Sequence, residues 1–179
     1  MRIYTRKGDD GTTGLLFGGR VRKDADAPQA YGTVDEAQAV LGLARAETER
    51  DGELDRLLIG LCRDLYVCMA ELATLPENRS KLTPGSQLVT DEMVAALEPL
   101  IDDLMDRFPM PTDFVIPGAT RPSALLDLAR TVVRRAERES LAVAAGGSYV
   151  VAYLNRLSDL LWALARWQDG TEHLLAKES

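Results

Sequence analysis

The chain holds one histidine and two cysteines, and each scarcity removes a class of chemistry. With His173 alone, histidine-based metal centres and histidine-dependent triads are out of reach, and the Glu-x-x-His pairs of di-iron bundles are missing. Cys62 and Cys68 are six apart on one predicted helix, on different faces, so they cannot bridge each other. No apolar run has the length of a membrane span, and no apolar signal core opens the sequence. These absences predict a cytoplasmic protein without a membrane partner. The formal charge of −7 argues against nucleic acid as a partner. Strand patterns are scarce, and there is no internal repeat.

What is present is helical periodicity. The 179 residues are 46% hydrophobic, mostly Leu, Ala and Val, enough for one domain with its own core. Leu54, Leu57, Leu58, Leu61, Leu65, Cys68, Leu72 and Leu75 follow steps of three and four, the stripe of an amphipathic helix. Further helices are predicted at about 29–49, at 90–107 before Pro109 and Pro111, from Pro122 to 144–147, and from Ser148 to 169–170. A polar loop covers 76–89, and 109–121 is the other long connection. The expected fold is all-α: a single domain made of a five-helix up-and-down bundle of general ferritin-like type over 29–170. An irregular arm (1–28) precedes it and a tail (171–179) follows.

Eleven of the 21 Lys and Arg residues fall in two short segments, which points to local anion binding within an acidic protein. The first is the arm, with Arg2, Arg6, Lys7, Arg20, Arg22 and Lys23 around YTRKGDDGTTG. That stretch lacks the Lys-Ser/Thr pair of a Walker loop and the ligand ladder of an EF-hand. Its glycines let backbone N–H groups and the Thr5, Thr12 and Thr13 hydroxyls turn toward an anion, with a mobile tail as the plainer reading. The second is the fourth predicted helix, where Arg130, Arg134 and Glu137 share a face and Arg138 follows Arg134 by four. Such a column repels itself unless anions or carboxylates lie against it, so either a solvated face or a polyphosphate site fits. In the fifth helix Asn155, Ser158, Asp159, Trp162 and Arg166 are expected along one side, and Asn155 needs a hydrogen-bond partner or a ligand.

YTRKGDDGTTG, AYGTVDE, FVIPGA, ARTVVRRAER and YLNRLSDLLWALAR, in this order, resemble the PduO-type ATP:cob(I)alamin adenosyltransferases over nearly the whole chain. The resemblance implies a cobalamin adenosyltransferase-like bundle assembled as a homotrimer, with sites between subunits. It implies transfer of the 5′-deoxyadenosyl group of ATP to the cobalt of a reduced corrinoid, releasing tripolyphosphate, with Mg²⁺ across the phosphates. A reductase and an adenosylcobalamin-dependent recipient enzyme are the further partners it implies. On that resemblance Thr5, Arg6, Lys7, Gly8, Thr13, Gly14 and Lys23 form the phosphate loop. Arg134, Arg135, Ala136, Glu137 and Arg138 form the helix-borne ATP site, and Asn155 contacts the nucleotide. Asp35 and Arg130 correspond to a pair bridging the subunit interface, and Phe114 to the apolar residue under the corrin. Arg134, Asp35, Arg130 and Phe114 are thus the expected catalytic positions. A binding protein of the same build, for storage, delivery or sensing, is the alternative.

The chain also departs from that pattern. Asp127 stands where the family usually has His, Gln38 replaces an Asn, Ala119 replaces a Gly, and the Pro-Arg pair expected around Ala25–Gln29 is missing. Asp127 lies one turn before Arg130 and is expected to compete for it with Asp35.

Overall fold

A computed structural model describes residues 3–171 and 173–177. Helix boundaries fall where the sequence interrupts its own periodicity. Helix α1 (Asp26–Ala46) begins before the predicted start because Pro28 lies in its first turn, where a missing N–H costs little. It ends short of Asp51, which takes φ 61° ahead of Gly52. Helix α2 (Glu53–Leu72) buries Leu54, Leu58, Leu61, Leu65, Cys68 and Leu72, as its stripe predicts, while Leu75 falls beyond its end. The helix expected over 90–107 is divided into α3 (Asp91–Ala95) and α4 (Glu98–Met105). Pro99 explains the break, since inside a continuous helix its ring would clash with the preceding turn and remove a hydrogen bond. Helix α5 (Arg121–Ser140) opens on a reciprocal Thr120–Ser123 cap, and α6 (Val150–Asp169) carries Leu154, Leu157, Leu161 and Leu164 into the core. The expected all-α five-helix bundle holds, with α3 and α4 together in the third place.

Helix α1 packs against α2 and α5, α5 against α6, and α4 against α6. The polar loop after α2 starts with a 3₁₀ turn (Pro76–Lys81) and is tied down by buried Glu71. That carboxylate accepts from Val89 N–H (2.7 Å), Ser148 Oγ (2.6 Å) and Arg79. Among the described residues, no helix is long and apolar enough to cross a membrane.

The arm, expected to be irregular, carries a short antiparallel hairpin: β1 (Thr12–Gly14) pairs with β2 (Arg20–Arg22), Thr13 opposite Val21. Strands of three residues, Thr-Thr-Gly and Arg-Val-Arg, are too short for a sequence reading to detect an alternation. Gly18 and Gly19 make the reversal at φ 103° and 91°, which side-chain-bearing residues rarely adopt. Leu16 N–H bonds the Ala73 carbonyl at 2.8 Å, so the arm docks on the C-terminal end of α2.

One buried contact gives stability a pH dependence. Tyr153, fully buried, donates its hydroxyl to Asp64 Oδ2 at 2.8 Å. Burial pushes the Asp64 carboxyl above its ordinary value, and the tyrosine bond only partly offsets that. A raised folded-state value favours folding below the unfolded pKa of about 3.9 and loses that contribution as pH rises through the folded value. Asp64→Asn keeps an acceptor for Tyr153 without the charge. Its melting temperature, relative to the unmodified protein, should therefore be higher at neutral pH than in acid; a constant difference across melts from about pH 3 to pH 8 would refute this.

Candidate functional site

Three groups of side chains stand apart from the core, and the first is the arm. Asp10 Oδ1 accepts both the Thr12 N–H (2.9 Å) and the Thr12 hydroxyl (2.7 Å). Arg20 then donates Nε to Thr12 Oγ1 (3.0 Å) and Nη2 to the Lys7 carbonyl (2.6 Å). This clasp shapes residues 7–12, and sequence reading left Arg20 and Asp10 out of the site because no local motif announces a cross-hairpin contact. Gly8 has a steric reason to be glycine: a Cβ there would lie 3.1 Å from the Thr12 carbonyl and 3.2 Å from Lys23 Nζ. A Cβ on Gly14 would meet nothing within 4 Å, so the fold of the single chain does not require glycine at that position. Thr5, Arg6, Lys7 and Lys23 are all exposed, and Arg6 turns the chain at φ 60°.

The second group lies on α5 and α6. Asn155 is exposed rather than set in the apolar interior, and its Nδ2 donates to Glu137 Oε1 at 3.0 Å. Arg138 Nη1 donates to the Arg134 carbonyl at 2.9 Å. Arg135 is tied to Glu36 of α1, and Ala136 is sealed in the core with 0% exposure, so the Ala136 side chain faces no ligand. That corrects the expectation that the whole run from Arg134 to Arg138 forms one binding surface. Of the arginines there, Arg134 and Arg138 have no carboxylate partner among the described residues. A small pocket beside Arg138 is lined by Asp26, Gln29 and Glu139. No hydrogen bond or ion pair joins the arm to Arg134 or Arg138 among the described residues. Among the described residues, the two basic groups of one chain are thus not bonded to each other.

The third group surrounds a cavity of ≈ 480 Å³ between the 110–117 loop and α5 and α6. Phe114, 84% exposed, lies at its wall with Pro111, Val115, Pro117 and Trp162. The loop is pinned from the C-terminal side: Ile116 N–H bonds the Leu174 carbonyl and Ala176 N–H bonds the Phe114 carbonyl, both at 2.8 Å. Charged groups border the same cavity. Arg166, 2% exposed, donates Nη2 to Asp127 Oδ2 at 2.5 Å, and Arg130 donates Nε to Asp127 Oδ1 at 3.1 Å. The Arg166 Nε lies 2.8 Å from Asp169 Oδ2, in ion-pair contact without hydrogen-bond alignment. The expected placement of Arg166 beside exposed Asn155 is thus overturned, because its position on α6 turns inward. Asp35, exposed on α1, has no partner among the described residues, and Arg130 is engaged by Asp127 within its own helix.

A sequence profile described as cobalamin adenosyltransferase matches residues 3–168, a span that takes in the described arm, the α5 and α6 arginines and every residue lining the cavity. The chain belongs to the cobalamin adenosyltransferase family. It is 42% identical over 180 residues to a corrinoid adenosyltransferase of Citrobacter freundii, covering 98% of this chain and 99% of that one. It is 39% identical over 176 residues to the corrinoid adenosyltransferase PduO of the same organism, covering 97% of this chain but about half (51%) of that longer protein. Its fold superposes with a TM-score of 0.83 and 28% identity on a variant PduO-type ATP:corrinoid adenosyltransferase from Lactobacillus reuteri, complexed with cobalamin and ATP. That superposition covers 94% of this chain and 91% of the other. Within the cobalamin adenosyltransferase family, then, this member carries two basic groups and a cavity of apolar and charged residues.

Proposed function

We propose that the protein transfers the 5′-deoxyadenosyl group of ATP to the cobalt of a reduced corrinoid. Membership of the cobalamin adenosyltransferase family carries the reading, and the chemistry of the three groups fits it. Cobalt(I) is itself the nucleophile: it forms a cobalt–carbon bond to C5′ while the C5′–oxygen bond breaks and tripolyphosphate leaves with the electron pair. No catalytic Ser, Cys or His is needed, so the protein's tasks are alignment and stabilisation of charge on the leaving group. Arg134 and Arg138, with Lys7, Lys23 and the arm's N–H groups, supply that charge. Mg²⁺ enters with ATP as part of the substrate. Among the described residues no cluster of three or more His, Cys, Asp or Glu offers a metal cage, and Mg²⁺ carried by phosphates and water needs none.

The active assembly in this reading is a homotrimer. The arm of one copy meets Arg134 of the next, which accounts for two phosphate-binding groups that share no bond among the described residues of one chain. Asp35 lies on an α1 stripe with Gln38, Gly42 and Arg45, beside a ≈ 410 Å³ groove shared with Ile59, Cys62 and Tyr66 of α2. Tyr66 is 64% exposed there. We assign this face to the neighbour's Phe114 cavity, so that the corrinoid lies between copies and Asp35 reaches Arg130.

The deciding assay combines the protein with MgATP and a corrinoid reduced to cobalt(I). Adenosylcorrinoid and tripolyphosphate should form in equal amounts; neither product forming would sink the reading. Phe114 is assigned to the lower face of the corrinoid, where an apolar ring displaces the axial ligand and makes cobalt(II) easier to reduce. Phe114→Ala should accordingly lose more activity with cobalt(II) and a mild reductant than with pre-reduced cobalt(I). Equal losses in the two assays would remove the wedge role.

A further inference from the structure

One carboxylate in the cavity wall serves two arginines. Asp127 is buried, with one oxygen taken by Arg166 and the other by the Nε of Arg130. Arg166 has a second carboxylate, Asp169, at 2.8 Å, so its charge is met on both sides. The bond to Arg130 is therefore more than neutralisation of Arg166. It grips the inner edge of the guanidinium, and the two terminal amino groups of Arg130 keep no partner among the described residues. Those amino groups are the fork that binds a carboxylate in two parallel bonds or converges on a single amide oxygen. Arg130 and Asp127 both line the ≈ 480 Å³ cavity.

We infer that Asp127 is a positioning residue for Arg130, aiming its free fork into the corrinoid cavity. This role rests on the adenosyl-transfer reading, and it reverses the competition with Asp35 expected from sequence. An acceptor competing for Arg130 would occupy the fork; Asp127 holds the opposite edge and leaves the fork open. Alternating charges run from the end of α6 to the cavity rim: Asp169, Arg166, Asp127, Arg130. Because Arg166 and Asp127 are nearly inaccessible to water, the relay is rigid where it starts and exposed only at its last member.

The test is a double-mutant comparison on the full chain, with cobalamin as the probe. Asp127→Asn should weaken cobalamin binding and lower kcat/KM for the corrinoid on the order of ten- to a hundredfold, the scale of a misplaced catalytic group. The KM for ATP should stay within about twofold, since the ATP groups lie elsewhere. In an Arg130→Ala background, Asp127→Asn should have no further effect on cobalamin binding, because its influence passes through Arg130. An equal loss in both backgrounds, or an ATP KM that moves as much as the corrinoid constants, overturns the role. If thermal melts show Asp127→Asn unfolded, Asp127→His is put through the same comparison, and failure of both to fold assigns Asp127 to structure alone. An unmodified protein without turnover would overturn the reaction itself, and this role with it.

Discussion

Arg134→Ala should all but abolish adenosyl transfer while leaving the fold unchanged. Arg134 is exposed and has no carboxylate partner among the described residues, so no ion pair of the single chain is lost with it. In the proposed reaction its guanidinium faces the triphosphate, whose charge grows as the C5′–oxygen bond breaks. Removing one such preorganised donor costs on the order of a hundred- to a thousandfold in turnover. The loss should fall on kcat at least as much as on the KM for ATP, because the interaction strengthens toward the transition state. Tripolyphosphate release measures the first effect, and circular dichroism with a thermal melt measures the second. Arg135→Ala is the contrast: it breaks the exposed tie to Glu36, worth no more than about 1 kcal/mol, and should leave most activity. Undiminished turnover in Arg134→Ala would remove the leaving-group assignment.

Arg166→Met should be the most destabilising single change. It leaves Asp127 and Asp169, 5% and 1% exposed at their side chains, without the cation between them. Breaking a buried pair in this way costs about 3–5 kcal/mol. For a chain of this size that lowers the melting temperature by roughly 10 °C. Replacing the whole group by apolar residues, as in Asp127→Leu with Arg166→Met and Asp169→Leu, should recover most of the loss, because no buried charge is then left unmatched. Chemical denaturation of the two variants decides it. A loss below about 1 kcal/mol in Arg166→Met would mean that water reaches the carboxylates. The triple variant should still bind corrinoid poorly, since Arg130 loses its anchor.

Much of the architecture was legible because leucines mark time along helices. The stripe from Leu54 to Leu72 appears in the structure as read, with Leu57 only partly buried. Pro99 could be read as a helix stop only once its place in the first turn of α4 was known, because prolines at first turns and at breaks look alike in sequence. The hairpin escaped because strands of three residues are too short to show a period, and its shape comes from a cross-strand clasp of Arg20, Thr12 and Asp10. The site divides along the same line. Contacts one turn apart, such as Asp127 with Arg130, are written in the spacing. Contacts between elements, such as Asp127 with Arg166 across 39 positions, depend on how α5 meets α6, and no local pattern encodes that. Ala136 shows the opposite error: a residue inside a motif need not face the ligand, since a helix turns every side chain by about 100°.

The arm leans on the end of α2 and the lone Arg134 stands on α5, with no bond between them in the same chain. If neighbours complete each site, damage to the two halves is separable by inheritance. A chain stripped of Arg134 still lends a sound arm to the copy beside it, and a chain with a ruined arm still offers its arginine. Two defective alleles in one cell would then restore function that neither has alone.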